Sequence, residues 1–137
     1  MATVQEPAPR AAERADAVTL VLLLVGASQL LTGAFAFFAP GSFYDVVAGY
    51  PPYNEHFLMD VGSWQIALGA IALYGARRAA WRVPLLALLA LQYVLHLVPH
   101  LIHFDDAEKS GQAWFATIAL ALASVVLIGL FVRERSR

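Results

Sequence analysis

Four long apolar runs decide what this chain can fold into: Ala17 to Phe38, Phe57 to Ala76, Val83 to Ile102 and Ala113 to Val132. Each has about the 20 residues needed to cross roughly 30 Å of hydrocarbon at about 1.5 Å per helical residue. The first and fourth carry no charge, the second only Asp60, and the third two histidines. Backbone groups in lipid must bond within their own segment, so each run is expected to be a helix. The predicted fold is all-α, a four-helix transmembrane bundle forming one domain over 17–132. An Ala-, Pro- and charge-rich segment, 1–16, reads as a disordered tail, and 133–137 reads as a short basic tail. The chain is 60% hydrophobic and 14% charged, against about 25% charged for soluble domains. A soluble protein of 137 residues has too little interior for that much apolar surface. The first run also resembles a secretory signal, with Ala34-Phe35-Ala36 as a cleavage triplet. Its length, and Glu13 and Asp16 beside Arg10 and Arg14, favour a retained helix.

Charge sets the expected orientation. Arg10, Arg14, Arg77, Arg78, Arg82, Arg133, Arg135 and Arg137 fall in stretches that four spans place on one side, leaving only Lys109 on the other. The positive-inside rule puts both termini in the cytoplasm, in a bacterial inner membrane. Tyr74 and Trp81 mark the expected inner interface; Tyr44, Tyr50, Tyr53, Phe57 and Trp114 mark the outer one. The net charge of −1 and the absence of a basic stripe give no sign of a nucleic-acid partner. The bilayer is the expected partner, with a membrane protein or a second copy of the chain left open. Between Pro40 and Glu55, residues such as Phe43, Tyr44 and Val47 are too apolar for a free loop, and predict a short interfacial helix or lid. Gly62, Gly69 and Gly75, Gly26 and Gly33, and the Ala119/Ala123 pair are expected to let helices approach closely.

Polar residues gather at the other end from the arginines. With Gln92 at zero on a helical wheel, Pro99 lies at about −20°, His103 at about +20°, His96 at about +40°, His100 at about +80° and Tyr93 at about +100°. One face of the third run thus holds its polar side chains, and should turn inward because polar groups facing lipid are costly. On the second run His56, Asp60 and Ser63 share a face, whereas Gln65 lies opposite His56. The first run offers Gln29 and Thr32. Pro99 removes a backbone bond to Leu95 and is expected to kink its helix. Asp60, one turn inside its helix, is either a functional carboxylate or a cap favoured by the helix dipole.

There is no cysteine, which excludes thiolate metal sites, disulfides and thiol nucleophiles. Imidazole and carboxylate remain as ligands, so a transition metal held by His56, Asp60, His96, His100 and His103 is the leading reading. Asp60 would serve there as ligand or as the partner orienting an imidazole. A b-type haem on a histidine pair ranks lower. Small polar ligands, proton-linked transport and a hydrogen-bonded structural network also fit. A membrane redox or lipid-modifying enzyme and a non-catalytic accessory subunit stay open. The spacing lacks the glutamate of a His-Glu-x-x-His protease, and neither a nucleophile elbow nor a phosphate loop is present.

Pro51-Pro52-Tyr53-Asn54-Glu55-His56, followed by Asp60-Val61-Gly62 and the later His96-Leu97-Val98-Pro99-His100-Leu101-Ile102-His103, resembles a family of small four-span bacterial membrane proteins. The resemblance covers nearly the whole chain after about Ala17. In size and span count the chain is also similar to the DoxX-like group. Both resemblances imply a fold and neither implies an activity.

Overall fold

The computed structural model describes residues 16–106 and 110–137. The expected tail up to residue 15, with Arg10 and Arg14, and Lys109 lie outside them. The described residues form an all-helical chain: α1 (Ala17–Phe38), α2 (Pro40–Val46), α3 (Glu55–Gly75), α4 (Ala79–Ile102) and α5 (Ser110–Arg135), with a 3₁₀ turn at Phe104–Asp106 before α5. α1, α3, α4 and α5 are each long and apolar enough to span a bilayer, which makes this a multi-pass membrane protein.

Side-chain caps explain where the helices differ from the apolar runs. α3 starts two residues before Phe57 because the Asn54 side chain accepts from the Phe57 amide at 3.0 Å, satisfying an amide with no partner inside the helix. α4 starts at Ala79, four residues before the apolar run, and carries Arg82 on its first turns rather than in a loop. α5 runs on to Arg135, and Glu134 pairs with Arg137 at 2.9 Å beyond its end. The loop expected to carry a short helix does so: α2 begins at Pro40, where a missing amide hydrogen is harmless.

Two tight pairs make up the bundle. In the first, α1 and α3 run antiparallel with glycine against glycine. A Cβ on Gly33 would stand 2.8 Å from the Gly62 carbonyl oxygen, and one on Gly69 would stand 2.7 Å from that of Gly26. No side chain fits at those distances, so the two backbones lie in direct contact, the usual means of association in lipid. The second pair is α4 with α5.

The pairs are clamped together at the arginine-rich end. Val18, Leu22, Ala72, Leu86, Leu89 and Leu127, one or two from every long helix, form a core with no exposed surface. A polar lock closes the same end. Asp16 caps α1 by accepting from the Thr19 amide at 2.9 Å and pairs with Arg82 at 2.7 Å. Arg82 also donates to the Thr19 hydroxyl at 3.1 Å, which donates in turn to the Ala76 carbonyl at 3.2 Å. Asp16 therefore belongs to the bundle and not to the tail. Tyr74 and Trp81 meet edge to face there, 5.8 Å apart, with the Arg78 guanidinium over the Tyr74 ring.

The Thr19 amide, helped by Arg82, holds the Asp16 carboxyl below its ordinary value of 3.8. A depressed carboxylate adds stability that is complete above the ordinary value and is lost as pH falls through the folded one. Asp16→Ala is expected to lower stability at pH 7 by about 1 kcal/mol, the size of a lost N-cap, with the difference from wild type vanishing in strong acid. Thermal unfolding in detergent at pH 7, and then at a series of pH values falling below 3.8, checks both parts: the difference should narrow steadily toward zero along the series.

Candidate functional site: a cavity between the helix pairs

At the opposite end the pairs separate. The second core cluster, Ala36, Phe43 and Leu58, joins only α1, α2 and α3. Between the pairs lies a cavity of about 970 Å³, near the top of the range of roughly 300–1,000 Å³ for small-molecule sites. α2 and the following loop roof it with Phe43, Tyr44, Val47 and Tyr50. Gln112 of α5 latches that roof by donating to the Val46 carbonyl at 2.7 Å.

The cavity wall is mainly apolar, with its largest group of polar side chains in one strip and Ser28, Thr32 and Asn54 beside it. Gln29 of α1, Gln65 of α3, and Gln92, Tyr93, His96 and His100 of α4 supply it. Gln29 is 5% exposed, and its amide donates to the Gln92 carbonyl oxygen at 3.4 Å. The carbonyl oxygen of the Gln65 side chain is buried with no hydrogen-bond partner. Such an acceptor costs about 1–3 kcal/mol unless something donates to it. Nearer the mouth, the His96 and His100 rings are 5.1 Å apart, and the Tyr50 hydroxyl lies 3.4 Å from Nδ1 of His100. Burial, together with the negative charge of Asp106, pushes the Tyr50 hydroxyl above its ordinary value of 10.0. Tyr50 therefore stays protonated and available to donate at physiological pH. His103 and Asp106 pair at 2.8 Å at the rim. Among the described residues the lining holds no lysine or arginine, and Asp106 is its one carboxylate.

The five residues expected to form one metal set divide into three groups. His96 and His100 share the cavity wall and His103 stands at its rim with Asp106. His56 and Asp60 are elsewhere: they pair with each other at 3.4 Å along α3, with side chains 88% and 68% exposed. Among the described residues no three histidine, aspartate or glutamate side chains converge as a metal site. The reason is the rotation of α3. Its glycine seam must face α1, and that turns Gln65 toward the cavity and its opposite face, with His56 and Asp60, outward. Ala119 and Ala123, expected to pack helix on helix, line the cavity. The residues missed as part of a site were Gln65 and the roof tyrosine Tyr50. The position of Gln65 opposite His56 was the available signal, once the glycine seam is taken as the contact with α1.

Comparison of the chain with family models, with curated proteins and with solved structures found no match.

His56→Ala is expected to change stability by no more than about 0.5 kcal/mol, as for other exposed positions, and to leave the contents of the cavity unchanged. Thermal unfolding and mass analysis of the purified variant read both. A loss of cavity ligand would place His56 in the site after all.

Proposed function

We propose that this protein binds an uncharged amphipathic molecule inside the membrane, with its apolar body between the two helix pairs and its hydrogen-bonding head on the strip formed by Gln65, Gln92, His96 and His100. The observation that carries this reading is a cavity of about 970 Å³ between the helix pairs, lined mainly by apolar side chains with Gln29, Gln65, Gln92, Tyr93, His96 and His100 gathered among them. Amide, imidazole and phenol groups in that wall favour a head that forms hydrogen bonds. The absence of lysine and arginine from the described lining disfavours phosphate and carboxylate heads, whose recognition uses cationic or convergent amide donors. Imidazole, amide and phenol groups suit a neutral head. A transition metal fits less well, because among the described residues no three histidine, aspartate or glutamate side chains converge.

Both termini are assigned to the cytoplasm of a bacterial inner membrane by the clustering of arginine at one end, so the histidine end and its roof face outward. Reporter fusions at either terminus test that side.

The binding reading is tested by native mass spectrometry of protein extracted in mild detergent, with analysis of what is released. One uncharged amphiphile per chain is the expected result. Retention of anionic phospholipids alone, or of a stoichiometric metal, contradicts it. A second reading, an accessory subunit, is favoured by the exposed His56–Asp60 pair on the outside of α3. Loss of a co-purifying partner in a His56→Ala, Asp60→Ala double variant, with an empty cavity in the wild type, would support that reading instead.

A further inference from the structure

A second opening lies in the side of the bundle. Between α3 and α4, a smaller cavity of about 410 Å³ is lined by Trp64, Leu88, Leu91, Gln92, Leu95 and His96. It shares Trp64, Gln92 and His96 with the large cavity, so the two adjoin at those side chains. The rim is apolar and faces outward at mid-helix: Trp64 is 62% exposed, Leu91 58% and Leu95 60%. In a spanning bundle such surface meets hydrocarbon. The other entrance differs in chemistry. It is rimmed by Asn54, His103 and Asp106, roofed by α2, and latched by Gln112 to Val46.

We infer that the ligand enters sideways from the bilayer, through the gap between α3 and α4 and past Trp64, and is therefore a lipid-phase molecule rather than a water-soluble one. This rests on the binding function proposed above and adds its route and the phase its substrate comes from. A long apolar chain crossing the Trp64–Leu91–Leu95 rim stays in an apolar environment throughout. Through the roof, the same chain would pass a polar rim and water. Gln92 and His96 stand at the inner side of the gap, so a hydroxyl head trailing through it meets hydrogen-bonding partners on arrival. Trp64 is the movable element: a large ring at a bilayer-exposed position, free to swing outward without disturbing the core. Its indole N–H is suited to guide a head oxygen through the rim.

The absence of cysteine from the chain makes the test direct. Cysteines at Trp64 and Leu91 are bridged by a reducible bis-maleimide in one variant, and cysteines at Val46 and Gln112 in a second. Each is reconstituted in phosphatidylcholine vesicles with a diazirine-bearing long-chain alcohol as probe. Equilibrium binding to the unbridged variants is measured first, then the rate at which bound probe exchanges. The side bridge is expected to slow exchange at least tenfold and release it on reduction, while the roof bridge leaves the rate within twofold. Slowing by the roof bridge alone, equal slowing by both, or slowing by neither overturns the lateral route. Equilibrium binding to the cysteine-free wild type is the reference: its absence overturns the binding function itself and the route with it, so the two failures are told apart.

Discussion

Gly69→Leu is expected to unfold the first helix pair. A Cβ at this position would lie 2.6 Å from the backbone nitrogen of Leu30 and 2.7 Å from the carbonyl oxygen of Gly26. The obstacle is main chain on both counts, so no rotamer change relieves it, and leucine adds three further carbons. Overpacking a core costs about 1–3 kcal/mol and occasionally more. With a helix backbone as the obstacle, the upper end or beyond is expected, roughly 3 kcal/mol, or about a 100-fold shift in the folded-to-unfolded ratio. Gly33 and Gly62 face each other in the same seam and predict losses of similar size. Gly129 supplies the control: a Cβ there meets nothing within 4 Å, so Gly129→Leu should leave the unfolding midpoint unchanged or raise it through better helix propensity. Thermal unfolding in detergent, read by circular dichroism, checks the pair. Equal effects at Gly69 and Gly129 would mean that the α1–α3 seam does not hold the bundle together.

Ala116→Trp is expected to empty the cavity while leaving the fold intact. Ala116 is half-buried on the cavity face of α5, and the indole would project into open volume rather than into a packed core. The cavity strip remains, but the apolar body of the ligand loses its room. A loss of binding of at least tenfold, about 1.4 kcal/mol, is expected with an unfolding midpoint at or above that of the ligand-free wild type. His96→Leu separates the two ends of the ligand. It keeps the volume and removes a hydrogen-bonding group, which costs roughly 1–3 kcal/mol when the head is buried without a partner. The alcohol probe should therefore lose affinity in His96→Leu, whereas an alkane of the same length should not. Equal losses for both molecules would show that the strip plays no part in recognition.

Much of this architecture is legible in the sequence, because a bilayer leaves so few solutions. The four spans, the short helix after Pro40, and the gathering of His96, His100, Gln92 and Tyr93 on one face follow from helix geometry and the cost of polar groups in lipid. The arrangement of the site was less legible. Placing His56 and Asp60 beside those histidines required the rotation of α3 about its own axis, and wheel positions within one helix do not supply it. Gly62 and Gly69 held that information. They lie seven residues apart, as do Gly26 and Gly33, and meet as one seam whose direction sends Gln65 inward and Asp60 out. The splaying of the two pairs was also hidden. It depends on bulk being concentrated at one end, Leu22, Leu86, Leu89 and Leu127, with Ala116, Ala119 and Ala123 at the other, and that asymmetry is visible only across four helices at once.

Mapping where a diazirine-bearing long-chain alcohol attaches to α5 tests the central claim most directly. This helix has one face on the cavity, with Ala116, Leu120 and Ala123, and another on the bilayer, where Phe115, Ile118, Leu122 and Val125 are 52–78% exposed. A bound ligand predicts adducts concentrated on the cavity face at one per chain, displaced by excess unlabelled alcohol and absent in Ala116→Trp. Adducts spread over Phe115, Ile118, Leu122 and Val125, undiminished by competitor and unchanged by the tryptophan, would contradict it.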